Sequence, residues 1–160
     1  MQDSRRGFLK LSPTLFFGLS QISNKNPFDT AVKAISADQV REILQSANYN
    51  PLDPGLNLAN IARGSIKQIK YSGESGRQPY ISYQLDFYFN NGRGDYAGQR
   101  LYVSDGFENT PIDGRTDFFY REYIKNAESA GTAEYSLRSY SLEQRTKVAQ
   151  SLLDSLTKFF

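Results

Sequence analysis

Residues 80–89 alternate without a break. Ile81, Tyr83, Leu85, Phe87 and Phe89 are apolar or aromatic, and Ser82, Gln84, Asp86 and Tyr88 stand between them. A period of two is the repeat of a strand that buries one face; a helix, repeating every 3.6 residues, cannot keep those five side chains together. This run therefore commits the chain to a sheet and says which side of it meets a core. The Gly-rich stretch 90–95 that follows has hairpin chemistry. The chain then resumes as a strand over 96–104, with Leu101 and Val103 inward and Arg100 and Tyr102 outward. Residues 65–72, ahead of a turn at 73–76, supply a third strand. Residues 132–140 supply a fourth, with Tyr135 and Leu137 facing one way.

The flanks read as helices. Asn26-Pro27 has the form of an N-cap followed by a first-turn proline, predicting a short helix over 27–35 with Phe28, Ala31, Val32 and Ile35 on one face. Ser36 with Gln39 three residues on is a capping box, opening a second helix through 47 with Val40, Ile43 and Leu44 as its stripe. The prolines and glycine of 48–55 make a loop, and 56–62 has room for one or two helical turns. Residues 105–116 form a polar loop. In 117–130, Phe118, Phe119, Tyr123 and Ala127 fit a helix closed by Gly131; the Phe-Phe-Tyr run also suits a strand, and helix is the reading taken. Ser141 and Gln144 form another capping box. The helix they open carries Leu142, Val148, Ala149, Leu152, Leu156 and Phe159 at helical spacing. The expected fold is α+β: an antiparallel sheet of about four strands, with N-terminal helices and a C-terminal helix packed on one face. Residues 26–160 make one soluble domain, large enough to bury somewhat under ~70% of its unfolded surface.

Three residue types are missing altogether: Cys, His and Trp. Without Cys the chain offers no disulfide, thiolate metal site or cysteine nucleophile. Without His it supplies no Ser-His-Asp triad and no imidazole base. No cofactor is expected. The formal charge of +2 belongs to the first 25 residues, where Arg5, Arg6, Lys10 and Lys25 stand against Asp3. The remaining 135 residues carry a net −1. A nucleic-acid binder needs clustered positive charge to meet phosphates, so nucleic acid is not an expected partner.

The leader carries the one recognisable motif. Ser4-Arg5-Arg6-Gly7-Phe8-Leu9-Lys10 resembles the twin-arginine export signal, whose pattern is Ser or Thr, two arginines, any residue, then Phe-Leu-Lys. The resemblance covers residues 1–25 only. It implies an address read by a membrane receptor, and delivery of an already folded passenger to the periplasm or the thylakoid lumen. The site residues it implies are Ser4, Arg5, Arg6, Phe8, Leu9 and Lys10. The alternative is a basic amphipathic arm that packs on the body or lies on a membrane surface, leaving the protein cytoplasmic.

Few constellations carry chemistry. Arg93-Gly94-Asp95 spells the integrin-recognition tripeptide at a hairpin tip, where the same residues are also ordinary turn chemistry. Asp105, Glu108, Asp113 and Asp117 share a loop and are weak calcium candidates, their spacing unlike that of a calcium-binding loop. Nothing sets two carboxylates at the fixed separation that glycoside hydrolysis requires. Gly92, Gly94 and Gly98 miss the dinucleotide fingerprint by a residue. The aromatics say more: 11 Tyr and 11 Phe in 160 residues. With Ile81 to Phe89 inward, Tyr88, Arg100, Tyr102, Arg138 and Tyr140 fall on the opposite face, and Tyr and Arg are the commonest interface anchors. The expectation is an exported, non-catalytic binding or assembly protein that holds a protein partner on this face. The alternatives are a small hydrolase or lyase working with Asp, Glu, Tyr or Lys, and an accessory subunit of a membrane-associated energy-converting complex.

Overall fold

The structure, a computed structural model, describes residues 26–73, 79–104, 119–125, 130–134 and 141–160. The chain forms β1 (Phe28–Ser36), α1 (Ala37–Ser46), 3₁₀ turns at Asn50–Leu52 and Leu58–Asn60, then β2 (Ile61–Tyr71) and β3 (Tyr80–Arg93). β4 (Tyr96–Ser104), β5 (Phe119–Ile124), β6 (Ala130–Glu134) and α2 (Leu142–Thr157) follow. The six strands make one antiparallel sheet in chain order, β1 to β6. The fold is α+β, as expected; among the described residues it has more strands than the four expected and one helix ahead of the main sheet strands in place of two.

The segment 27–35 is where the helix expectation fails. It is strand β1, paired residue for residue with β2 from Phe28↔Tyr71 to Ser36↔Arg63. Asn26 does receive a backbone N–H, from Phe28 at 2.9 Å, but as a local turn at the start of a strand. Pro27 contributes its carbonyl, which accepts from the Ser72 N–H at 2.9 Å. A proline just before an edge strand loses no ladder bond, and Phe28, Thr30 and Val32 favour a pleated surface; the β2 partner then decides the conformation. The 117–130 helix is overturned for the same reason: Phe119–Ile124 pairs with β4 from Val103↔Phe119 to Gly98↔Ile124. Residues 117, 118 and 126–129 lie outside the described residues. Of the helical turns allowed for 56–62, only Leu58–Asn60 forms. The strand expected over 132–140 appears as Ala130–Glu134, and residues 135–140 lie outside the described set.

Both capping boxes form. Ser36 accepts from Gln39 N–H while Gln39 reaches back to Ser36 N–H, and Ser141 and Gln144 do the same for α2. Each such cap contributes on the order of 1 kcal/mol and sets where the helix begins. The two helices lie over one face of the sheet. Val40, Ile43 and Leu44 of α1, and Val148, Ala149, Leu152 and Leu156 of α2, close a single core with Ile66, Leu85, Phe87, Leu101 and Val103 from the sheet. α1 comes so near β2 that a Cβ on Gly64 would stand 2.5 Å from Val40 Cγ2 and 2.8 Å from the Asp86 carbonyl oxygen. Only glycine admits the helix at that distance. Among the described residues, no helix is long and apolar enough to cross a membrane.

Candidate functional site

Register converts the alternation into two faces. Leu85 stands opposite Leu101 and Ile66, on the core side. The intervening residues therefore form the outer face, where Asp86, Arg100 and Glu122 lie in one row across β3, β4 and β5. Arg100 grips Asp86 with both arms of its guanidinium, Nε to Oδ1 at 2.7 Å and Nη2 to Oδ2 at 2.8 Å. Its third nitrogen lies 3.8 Å from Glu122 Oε2. Gln84 Nε2 donates to the same Asp86 at 3.2 Å. That fork raises the Arg100 pKa, the Asp86 hydrogen bond first among the causes and partly opposed by burial.

Aromatic rings frame this row. Tyr102, further along β4, lies with its ring centroid 6.0 Å from the Arg100 guanidinium carbon. Burial raises its hydroxyl pKa; the Arg100 charge opposes the shift and Glu122 adds to it. On the other side Arg63 of β2 is stacked over the Tyr88 ring at 4.0 Å. Tyr88, Arg100 and Tyr102 are all half-buried. The expected constellation is thus brought together in three of its five members, with Arg63 as a fourth that the sequence did not single out. Arg138 and Tyr140 lie outside the described residues. So do the calcium candidates Asp105, Glu108, Asp113 and Asp117, and the export-signal residues Ser4, Arg5, Arg6, Phe8, Leu9 and Lys10. Among the described residues, no group of three acidic side chains is placed to hold a metal.

A second ionic cluster occupies the core side, beneath the loop after α1. Asp53 is buried and receives Arg93 Nη1 and Nη2, each at 2.8 Å, and Gln99 Nε2 at 3.0 Å. Arg121 Nη1 lies 3.1 Å from Asp53 Oδ2, with both side chains 5% exposed, and 3.4 Å from the Tyr49 hydroxyl. Tyr96 and Tyr123 stack beside it, centroids 4.4 Å apart. Burial works to raise the Asp53 pKa, but the hydrogen bonds from Arg93 and Gln99 and the two guanidinium charges outweigh it and hold the carboxyl below its usual range. Burial drives the Tyr49 hydroxyl well above its ordinary value despite the nearby Arg121. Two cations therefore face one carboxylate in a nearly closed site.

This cluster also settles the geometry of the Arg93-Gly94-Asp95 hairpin tip. Its arginine is turned inward and forked onto Asp53, so only Asp95 of the tripeptide is left to point outward; Gly94 takes the turn with φ +65°. Sequence reasoning missed Tyr49, Asp53, Gln99 and Arg121. Gln99 carried a legible signal, since the alternation that places Leu101 and Val103 inward places Gln99 inward too. Asp53 gave none: between Pro51 and Pro54 it reads as loop polarity.

A small groove of about 240 Å³ runs between α1 and the end of α2, lined by Gln39, Glu42, Ile43, Ser46, Lys158 and Phe159. It is smaller than the ~300–1,000 Å³ usual for a ligand pocket. No protein-family model, curated protein or solved structure matches the chain.

Proposed function

We propose that the protein is an exported, non-catalytic binding or assembly factor that holds a protein partner against the outer face of its sheet. The observation that carries this reading is the row Arg63–Tyr88 and Asp86–Arg100–Tyr102. It is a rigid sheet surface on which aromatic area and guanidinium donors are held in place by cross-strand ion pairs. Rings of this kind combine large contact area with little conformational entropy to lose, and pre-paired arginines are already oriented when a partner arrives. The leader's twin-arginine pattern supports an extracytoplasmic address. The partner is expected to present a carboxylate to Arg63 and an apolar or aromatic surface to the tyrosines, with no nucleic acid involved.

The hydrolase or lyase alternative has one natural location, the Asp53 cluster. There the chemistry opposes it. A carboxylate that accepts three hydrogen bonds and faces two guanidiniums is a poor base and a poor acid near neutral pH, because its proton affinity has been lowered and its lone pairs are taken. This arrangement supports a structural role.

Two measurements test the proposal together. Intact mass and fractionation of the native protein, beside Arg5→Lys/Arg6→Lys, should show loss of about 2–3 kDa and an extracytoplasmic location that the double substitution blocks. A photo-crosslinking residue at Tyr88, in that compartment, should trap a discrete adduct that the same residue at Gln150 on α2 does not. Full-length cytoplasmic protein, or equal adducts from both positions, would remove the reading.

A further inference from the structure

Among the described residues, the sheet ends in a long strand that is paired along only one of its edges. β1 runs for nine residues and is exposed along all of it except Ile35. Val32 is 61% and Phe28 43% exposed. The Ser72 N–H bonds the Pro27 carbonyl, so the odd-numbered residues of β1 turn their backbone groups toward β2. The even-numbered ones face away. Two of their N–H groups are taken locally, Phe28 by Asn26 Oδ1 and Ser36 by Gln39 Oε1. The N–H groups of Thr30, Val32 and Ala34, and the carbonyls beside them, have no partner among the described residues. An edge of this length is normally blunted by a bulge, an internal proline or clustered lysines. β1 pairs with β2 without a register shift and contains no proline and one lysine.

We infer that this edge pairs with the β1 edge of a second copy of the chain, antiparallel, across a two-fold axis at Ala31. The charges select the register. Centring the axis on Ala31 places Asp29 opposite Lys33 of the second copy, and Lys33 opposite its Asp29, two ion pairs related by symmetry. Centring it on Thr30 or Val32 leaves both charges opposite neutral residues, and centring it on Lys33 sets like charges together. The Ala31 register also satisfies the backbone. Thr30 and Val32 become directly opposed, hydrogen-bonding neighbours, as do Phe28 and Ala34, so the outward N–H groups of Thr30, Val32 and Ala34 are all used. Ala31 meets Ala31 in the close, non-hydrogen-bonded position, where small side chains fit. On the outer face Phe28 and Val32 of each copy gain cover from Ala34 and Thr30 of the other. Lys33 Nζ, now 5.3 Å from the Phe160 ring, exchanges an exposed cation–π contact for a carboxylate. The product is a closed, isologous dimer whose sheet runs continuously through both copies. It does not depend on the export or partner reading.

The test uses the full chain and its charge pattern. Sedimentation over a range of concentrations should show a monomer–dimer equilibrium for the unaltered protein. Asp29→Lys alone, and Lys33→Asp alone, should each weaken self-association by about tenfold or more, because like charges then oppose one another twice. The two variants mixed should recover a dimer containing one of each, since both lysines of the first variant then face aspartates of the second. Both positions are exposed, so circular dichroism should be unchanged. Because the chain has no cysteine, Ala31→Cys should oxidise to a covalent dimer far more completely than Val32→Cys, whose thiol faces Thr30 of the other copy. A monomer at every concentration, no recovery on mixing, or equal oxidation of the two cysteine variants would overturn the proposal.

Discussion

The two faces of the sheet each carry an Asp gripped by a forked Arg, yet the two pairs do different work. On the core side Asp53 is enclosed, shared by Arg93, Arg121 and Gln99, and comes from a loop rather than a strand. Its bonds run to β3, β4 and β5, tying residues 48–57 down over the sheet. On the outer side Asp86 and Arg100 come from neighbouring strands that are already hydrogen-bonded. Both pairs keep one arginine partly open to solvent, Arg93 at 28% and Arg100 at 20%; what sets Asp53 apart is its second cation, Arg121, only 5% exposed. The same fork is therefore a staple where it joins elements that would otherwise separate. Where the backbone has done the joining, it fixes side-chain direction on a surface. The enclosed Arg121 adds to the difference: removing the carboxylate of Asp53 strands that charge, whereas Arg93 and Arg100 can each recruit water.

The comparison predicts an order of effects. Asp53→Asn should be the most damaging, by about 3–5 kcal/mol, since it leaves the buried Arg121 without its carboxylate; urea unfolding reads this directly. The same interaction should appear in the acid limb of the unaltered protein. The folded Asp53 pKa lies below its unfolded value, so its contribution is complete above about pH 4 and is lost as the pH falls through the lower, folded value. Stability followed against pH should therefore drop below about pH 4, and Asp53→Asn should flatten that part of the curve. Asp86→Asn should cost less, about 1–2 kcal/mol, because the strands stay paired and Arg100 keeps Glu122 and solvent. Tyr88→Ala should cost about 1 kcal/mol or less in stability, from the lost stacking of Arg63, while abolishing partner capture. Glu143→Gln on α2, whose pair with Lys147 is almost fully exposed, should change unfolding by no more than about 0.5 kcal/mol. An Asp86 effect equal to that of Asp53 would erase the distinction between the two faces.

What the sequence revealed and what it hid divide along the same line. The residue alternation over 80–89, the capping boxes at Ser36 and Ser141, and the outward set Tyr88, Arg100 and Tyr102 are local patterns, and each appears as read. β1 and β5 read as helices in the sequence because their apolar residues fit both periods. Phe28, Val32 and Ile35 satisfy a helical stripe, and only the ladder to β2, a separate stretch of the chain beyond α1 and the loop, makes them a strand. The Asp53 cluster was hidden for the same reason. It draws Tyr49, Asp53, Arg93, Gln99 and Arg121 from separate stretches, and no spacing within the chain announces it. Gln99 alone signalled that something polar was waiting inside.

The claim that the outer face binds while the core-side cluster only holds the fold is tested most directly by one variant, Tyr88→Ala/Tyr102→Ala, expressed from the native locus. The quantity to measure is the partner recovered with it from its own compartment, normalised to folded protein. The account predicts a near-native thermal transition with the partner lost. Recovery of the partner in undiminished amount would contradict it and move the binding surface elsewhere on the molecule.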